Sequence, residues 1–232
     1  MKNTPNNPGR KRTLRNILLF FLVTIIYIAV LFVSAGSLTW LWGWIWTGIV
    51  IINFIVGILL LDPGLLEERT GIKKGSKRMD IFLATIMGRV GPLAIIITSG
   101  LDFRFGWSGS FPLVLPILGV VFLVIGNALV LWAMKENRFF SGVVRIQKER
   151  GHHTVTTGPY NIVRHPGYLG SIIITIGLPF ALASCWALIP AAVVIIISVF
   201  RTILEDNTLK KELENYSDYA KNVRYRLIPG IW

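Results

Sequence analysis

The residues whose types and spacing could do chemistry fall in two short stretches, GPYNIVRHPGYLG at 158–170 and the pair Arg201 and Glu205 in RTILED. Gly158-Pro159 is a turn signal. Pro166 fixes its own φ and biases His165 away from the α region, so the chain should be extended at His165 and enter a helix at Pro166. A helix start of that kind, with an imidazole beside it, suits an anionic group such as a carboxylate. Arg201 and Glu205 are four residues apart and share a helix face. A plainer reading stands beside each. RHP can be a helix cap, with Tyr160 and Tyr168 as interfacial anchors and Arg164 snorkelling to lipid phosphates. Arg201 and Glu205 can be an ordinary surface pair worth about 0.3–0.5 kcal/mol. Convergence favours function, because a tight hairpin after Tyr168 returns Arg201 and Glu205 to the level it left.

The elements that position these residues are membrane helices. The chain has 232 residues, 53% hydrophobic and only 16% charged, against roughly 25% charged in soluble domains. Several apolar runs reach the roughly 20 residues that cross a bilayer core. The pattern predicts an all-α integral membrane protein of about six transmembrane helices, at about 16–35, 38–61, 81–101, 111–134, 168–183 and 186–200. The second opens with the interfacial aromatic cluster WLWGWIW. The last two form a C-terminal helical hairpin. The organisation expected is a four-span membrane region, 1–134, continuous with a loop, hairpin and tail, 135–232. The loop Lys135 to Gly167 and the tail Arg201 to Trp232 are each about thirty residues, long enough to suggest function. Both leave the membrane on one side.

Charge sets the orientation. Of the basic residues behind the net charge of +12, five precede the first span, five lie between spans two and three, six between spans four and five, and six from Arg201 onward. With six spans these segments share one side, and the opposite side has only Arg104. The positive-inside rule then puts both termini and the site in the cytoplasm. The same dispersal, with no reading module, argues against nucleic acid as a partner. The N-terminal run is too long and lacks the small-residue site of a cleaved signal peptide, so it reads as a retained span.

Other chemistries find no support. His152, His153 and His165 lack metal-ligand spacing, so no metal is expected. There is no phosphate-binding glycine loop, dinucleotide turn or nucleophile elbow. Cys185, the single cysteine, sits at the outer turn of the hairpin and reads as filler. Arg89 lies near the middle of span three beside a kink at Gly91-Pro92. An ionisable group there is a functional candidate, or it pairs with polar groups such as Asn53 or Asn127 to fix helix packing.

The order GPYNIVRHPGYLG, apolar hairpin, RTILED, then YSDYAKNVRYRLIPGIW resembles the isoprenylcysteine carboxyl methyltransferase family and its bacterial relatives. The resemblance covers about 126–232, and more loosely DPGLLEER at the inner end of span two. It implies a multi-span enzyme that binds S-adenosylmethionine in a pocket enclosed by its C-terminal cytoplasmic segments, with a lipid-linked or apolar acceptor entering from the bilayer. Carried over by position, it implies cofactor contacts from His152, Thr154, Val155, Tyr160, His165 with the neighbouring Pro166, Tyr168 and Glu205. Gln147 joins them if a short gap is allowed. It also implies that Arg201 holds the acceptor carboxylate. The acidic run of the eukaryotic enzymes is reduced here to Glu205-Asp206, preceded by Ile203 and Leu204, so the substrate side departs from the pattern.

The implied chemistry suits these residue types. Methyl transfer to a carboxylate needs alignment and desolvation rather than a general base, and Arg201 offers a bidentate fork. Glu205 would balance the cofactor's cationic groups, while His165 and the helix start take its carboxylate. The aromatic tail ending IPGIW would act as a lid. RHPxYxG alone is shared with membrane phospholipid N-methyltransferases, where the acceptor is an amine. The segment NVRYRLIPGIW also resembles the tail of NADPH-dependent membrane sterol reductases. A non-enzymatic scaffold or lipid-binding protein is a third class.

Overall fold

The structure, a computed structural model, describes residues 8–68 and 78–232. Lys2, Arg69, Lys73, Lys74 and Lys77, which contribute to the charge argument, and the last residue of DPGLLEER lie outside the described residues. All regular structure among the described residues is helical: α1 (Pro8–Ala35), α2 (Leu41–Leu60), α3 (Pro63–Glu68), α4 (Arg78–Thr85), α5 (Gly91–Phe105), α6 (Val114–Glu136), α7 (Pro166–Ala181), α8 (Leu188–Glu212) and α9 (Tyr216–Asn222). A π-helical turn, Ile86–Val90, joins α4 to α5.

Among the described residues five stretches are long and apolar enough to cross a membrane: Thr13–Ala35, Leu41–Leu60, Arg78–Phe105, Val114–Glu136 and Leu188–Glu212. Their outward side chains, Leu18, Leu22, Val33, Ile52 and Val124 among them, are apolar and exposed, as lipid contact requires. The fifth expected span is a shorter element. Helix α7 has 16 residues, about 24 Å at 1.5 Å per residue, less than a bilayer core of about 30 Å. The sixth is longer than expected, because α8 runs unbroken through Arg201, Glu205 and Asp206 to Glu212.

The expected hairpin of α7 and α8 is present, but α7 packs most intimately on α6. A Cβ on Gly126 would stand 2.7 Å from the Gly170 carbonyl oxygen, and one on Gly177 would stand 2.8 Å from that of Gly119. Glycines seven apart on each helix thus let two antiparallel backbones touch, the small-residue mode of packing in membranes. At the end away from the long loops, Leu31, Trp40, Trp46, Ile95, Leu123, Leu182 and Val194 form an apolar core. There Asp102 accepts hydrogen bonds from Ser108 and Ser184, stitching α5 to the α7–α8 turn.

The kink expected at Gly91-Pro92 takes the form of the π turn. Pro92 has no N–H and its ring would collide with the carbonyl four residues back. A widened turn, closed by the Gly91 N–H on the Ile86 carbonyl, accommodates it.

Candidate functional site

At the end of the bundle that carries both long loops lies a cavity of about 680 Å³, within the range of about 300–1,000 Å³ usual for small-molecule sites. Its polar half is walled by the loop after α6, the start of α7, the later turns of α8, and α9. Its apolar half is walled by Leu19, Phe20 and Val23 of α1 and by Ala84, Met87 and Leu93 of the α4–α5 unit.

The RHP element is built as its sequence requires. His165 caps α7 at φ −127° and ψ 61°, outside the α region, and Pro166 is the first helical residue. Gly158 adopts φ +56°, a left-handed conformation that glycine adopts without strain, and begins the turn Gly158–Asn161. The tail then docks on this element: the N–H groups of Arg164 and His165 donate to the carbonyls of Tyr225 and Arg226, each at 2.9 Å.

Beneath it Asp206, completely buried, organises the ions. Arg164 donates to it from Nε (2.8 Å) and Nη2 (3.2 Å), Arg226 from Nε (3.0 Å) and the Tyr216 hydroxyl at 3.0 Å. Lys210 Nζ lies 3.0 Å away and His165 Nε2 3.4 Å. Arg164 therefore turns inward and does not snorkel. Burial, then the neighbouring Asp206 charge, push the Tyr216 phenol far above its usual range, so it serves as a donor at every physiological pH.

Glu205 faces the cavity. Its Oε2 accepts from the Tyr168 hydroxyl at 2.8 Å, and Oε1 lies 4.0 Å from His165 Nδ1. Arg201, one turn earlier, does not pair with it. Arg201 instead donates through Nε to Asp80 Oδ1 (2.7 Å) and through Nη2 to Asp80 Oδ2 (3.3 Å) and the Gly142 carbonyl (2.7 Å). The fork expected to face an acceptor is thus engaged by Asp80, and Nη1 is the edge left over. The guanidinium also sits 5.6 Å above the Tyr168 ring.

His152 stacks on Phe139 with centroids 4.5 Å apart, and its Nδ1 accepts the Gln147 N–H at 3.2 Å. That bond assigns the ring proton to Nε2. Burial, then the nearby His153 and Arg145 charges, lower its pKa to about 4. His152 is therefore a neutral donor. The Tyr160 hydroxyl is taken up by Asn137 and the Ala133 carbonyl, and burial raises its pKa well above the usual range. Tyr160 therefore offers the cavity a ring face. Thr154 donates to the Glu214 carbonyl at 2.9 Å, joining loop to tail.

Eight of the residues expected at a site line this one cavity: His152, Thr154, Val155, Tyr160, His165, Tyr168, Arg201 and Glu205. Two do not. Gln147 is fully buried, its Nε2 bonded to the Phe139 carbonyl and its Oε1 to Arg150, so it shapes the loop. Pro166 is buried as the first residue of α7. The aromatic tail also differs from a lid ending at IPGIW. Tyr216 and Tyr219 of α9 line the cavity, the latter's hydroxyl 2.6 Å from the Tyr160 carbonyl, whereas Ile231 is exposed.

Arg89 lines the apolar half. It does not pair with Asn53 or Asn127, whose amides bond carbonyls of their own helices. Sequence reasoning missed Asp80 and Glu68. Asp80 lies 121 residues from Arg201, and Glu68 grips Arg145 at 2.9 Å across 77 residues. Their signal was an acid retained in otherwise basic segments. Asp206 was visible only as the neighbour of Glu205.

Residues 114–216 match the family model described as phospholipid methyltransferase. The chain is similar to protein-S-isoprenylcysteine O-methyltransferase B of Arabidopsis thaliana, 31% identical over 119 residues, which is 50% of this chain and 57% of that protein. It is 32% identical over 101 residues to protein-S-isoprenylcysteine O-methyltransferase A of the same plant, 44% of this chain and 48% of that one. A probable protein-S-isoprenylcysteine O-methyltransferase of Oryza sativa subsp. indica is 38% identical over 61 residues, 26% and 32% of the two chains. The alignments with the two Arabidopsis proteins thus span about half the length of each. The family match contains the polar half of the cavity through Tyr216, but neither Asp80 nor Arg89.

Proposed function

Taking residues 114–216 as a member of the phospholipid methyltransferase family, we propose that the protein is a membrane-embedded S-adenosylmethionine-dependent methyltransferase. Its acceptor is a carboxylate on a lipid-linked or apolar molecule, as in the protein-S-isoprenylcysteine O-methyltransferase type. The observation that carries this reading is Glu205, a carboxylate facing the cavity with no lysine or arginine paired to it among the described residues. A cavity-facing carboxylate with no lysine or arginine against it is a receptor for a cation.

The remaining polar groups fit the same cofactor. Glu205 would hold its cationic groups, with Tyr168 fixing the carboxylate's orientation. His165 and the start of α7 would take its carboxylate, His152 would supply an Nε2–H, and Tyr160 and Val155 apolar faces. Bound there, S-adenosylmethionine supplies a methyl group activated on a sulfonium. The chain's own task is alignment and exclusion of water. The Nη1 edge of Arg201, stiffened by Asp80, addresses the acceptor, whose chain lies along Leu19, Val23 and Met87. With the positive-inside rule, this site and both termini are cytoplasmic.

A second reading, an amine acceptor on a phospholipid, is favoured by the description of the matching family model. Titrating the purified protein with S-adenosylmethionine and with NADPH tests the common ground. S-adenosylmethionine should bind and weaken about 10- to 100-fold in Glu205→Gln, the loss expected for a charge-assisted hydrogen bond. Binding of NADPH alone would overturn both readings.

A further inference from the structure

The cavity has opposite charges at its two ends. Glu205 in the polar half has no lysine or arginine partner, and Arg89 in the apolar half has no carboxylate partner, among the described residues. The other arginines that line the cavity are matched: Arg201 with Asp80, Arg164 with Asp206 and Arg145 with Glu68. Arg89 makes no ion pair and no side-chain hydrogen bond among the described residues; it is exposed and is one of the residues that line the cavity. Its backbone carbonyl accepts the Tyr27 hydroxyl at 3.1 Å.

The local fold explains its position. Arg89 lies within the π turn Ile86–Val90, and the extra residue of such a turn rotates the later part of the helix by roughly 100° relative to an uninterrupted one. The turn is held from behind by Val194, which occupies the space a side chain at Gly91 would need. By residue count Arg89 is about 13 Å further along the helix than Asp80. Helical side chains lean toward their own N-terminus, here the end where Asp80, Arg201 and Glu205 stand. A long side chain at this position therefore leans from the apolar half toward the end of the cavity that holds those residues.

A lone cation at this depth is costly unless something neutralises it. We propose that Arg89 is the specificity-determining residue for the acceptor, selecting an anionic head, the carboxylate, over a neutral or cationic one. This rests on the methyl-transfer reading of the cavity. Arg201 cannot supply that selection alone, since Asp80 cancels its charge. Arg201 contributes hydrogen bonds, and Arg89 contributes net positive charge.

The test uses the 232-residue chain in nanodiscs and three probes with one long alkyl chain: an N-acyl S-alkyl cysteine carboxylic acid, its primary carboxamide, and an alkyl phosphate. Wild type should bind the carboxylate on the order of 10-fold or more tightly than the carboxamide. Arg89→Gln should erase that preference while leaving carboxamide affinity and S-adenosylmethionine affinity within about twofold. Arg89→Lys, which keeps the charge, should retain part of the preference and guards against a folding defect. An undiminished preference in Arg89→Gln overturns the proposal, and so does a stronger Arg89-dependent preference for the phosphate. Failure of S-adenosylmethionine to bind wild type would sink the methyltransferase reading instead, and is read separately from the anion preference.

Discussion

Arg201 on α8 grips Asp80 on α4 through two prongs, Nε to Oδ1 at 2.7 Å and Nη2 to Oδ2 at 3.3 Å, with both side chains buried. The other Asp80 bond, from the Val144 N–H at 2.6 Å, brings the loop after α6 into the same junction. Removing one partner leaves the other charge buried and unmatched. Asp80→Ala should therefore cost about 3–5 kcal/mol, read as a lowered unfolding midpoint in detergent.

Arg201→Lys keeps the charge and loses the planar fork. Cofactor affinity should stay near the wild-type value, because Glu205 and His165 are untouched, while turnover on a carboxylate acceptor falls about 10-fold or more. Full turnover in this variant would argue for an amine acceptor.

The state of His152 predicts a pH dependence. Its folded pKa of about 4 lies below the ordinary 6.5, so the folded state disfavours the charged ring. The stability it contributes is fully present above pH 6.5 and is lost as pH falls toward about 4. Thermal unfolding measured from pH 8 down to about pH 4 should show that acid limb, and His152→Gln should flatten it.

The α6–α7 seam predicts a steric asymmetry. Gly170→Val places atoms where the Gly126 carbonyl stands 2.8 Å from a Cβ, and overpacking of this kind costs about 1–3 kcal/mol or more. Gly48→Ala on α2, where nothing lies within 4 Å, should be neutral or stabilising by up to about 1 kcal/mol. Unfolding midpoints of the two variants check the contrast.

Much of this site was legible because its signals are local. Pro166 announces the start of α7, Gly158-Pro159 announces the turn, and apolar runs announce the spans. The four-residue spacing put Arg201 and Glu205 on one face, but their partners came from elsewhere. The Asp80 and Glu68 carboxylates meet their arginines across 121 and 77 residues, a relation no local period encodes. The resemblance implies Gln147 as a contact only across a short gap, and both ends of its amide are used in folding the loop. The continuation of α8 is not announced by apolarity, which ends near Phe200; the helix runs on through the weak helix formers Asp206, Asn207 and Thr208 to Leu209, Lys210, Lys211 and Glu212, which favour it. The π turn that carries Arg89 is likewise invisible to a 3.6-residue period.

The most direct measurement is the chemistry of the product. Purified protein is incubated with methyl-labelled S-adenosylmethionine and the long-chain cysteine carboxylic acid, alongside phosphatidylethanolamine vesicles as a competing acceptor. Label is expected in the carboxylic acid as a methyl ester, released as volatile methanol by mild base, and strongly reduced in Glu205→Gln at limiting cofactor. Base-stable label on the phospholipid amine, with none on the carboxylate, would contradict the carboxylate-acceptor reading.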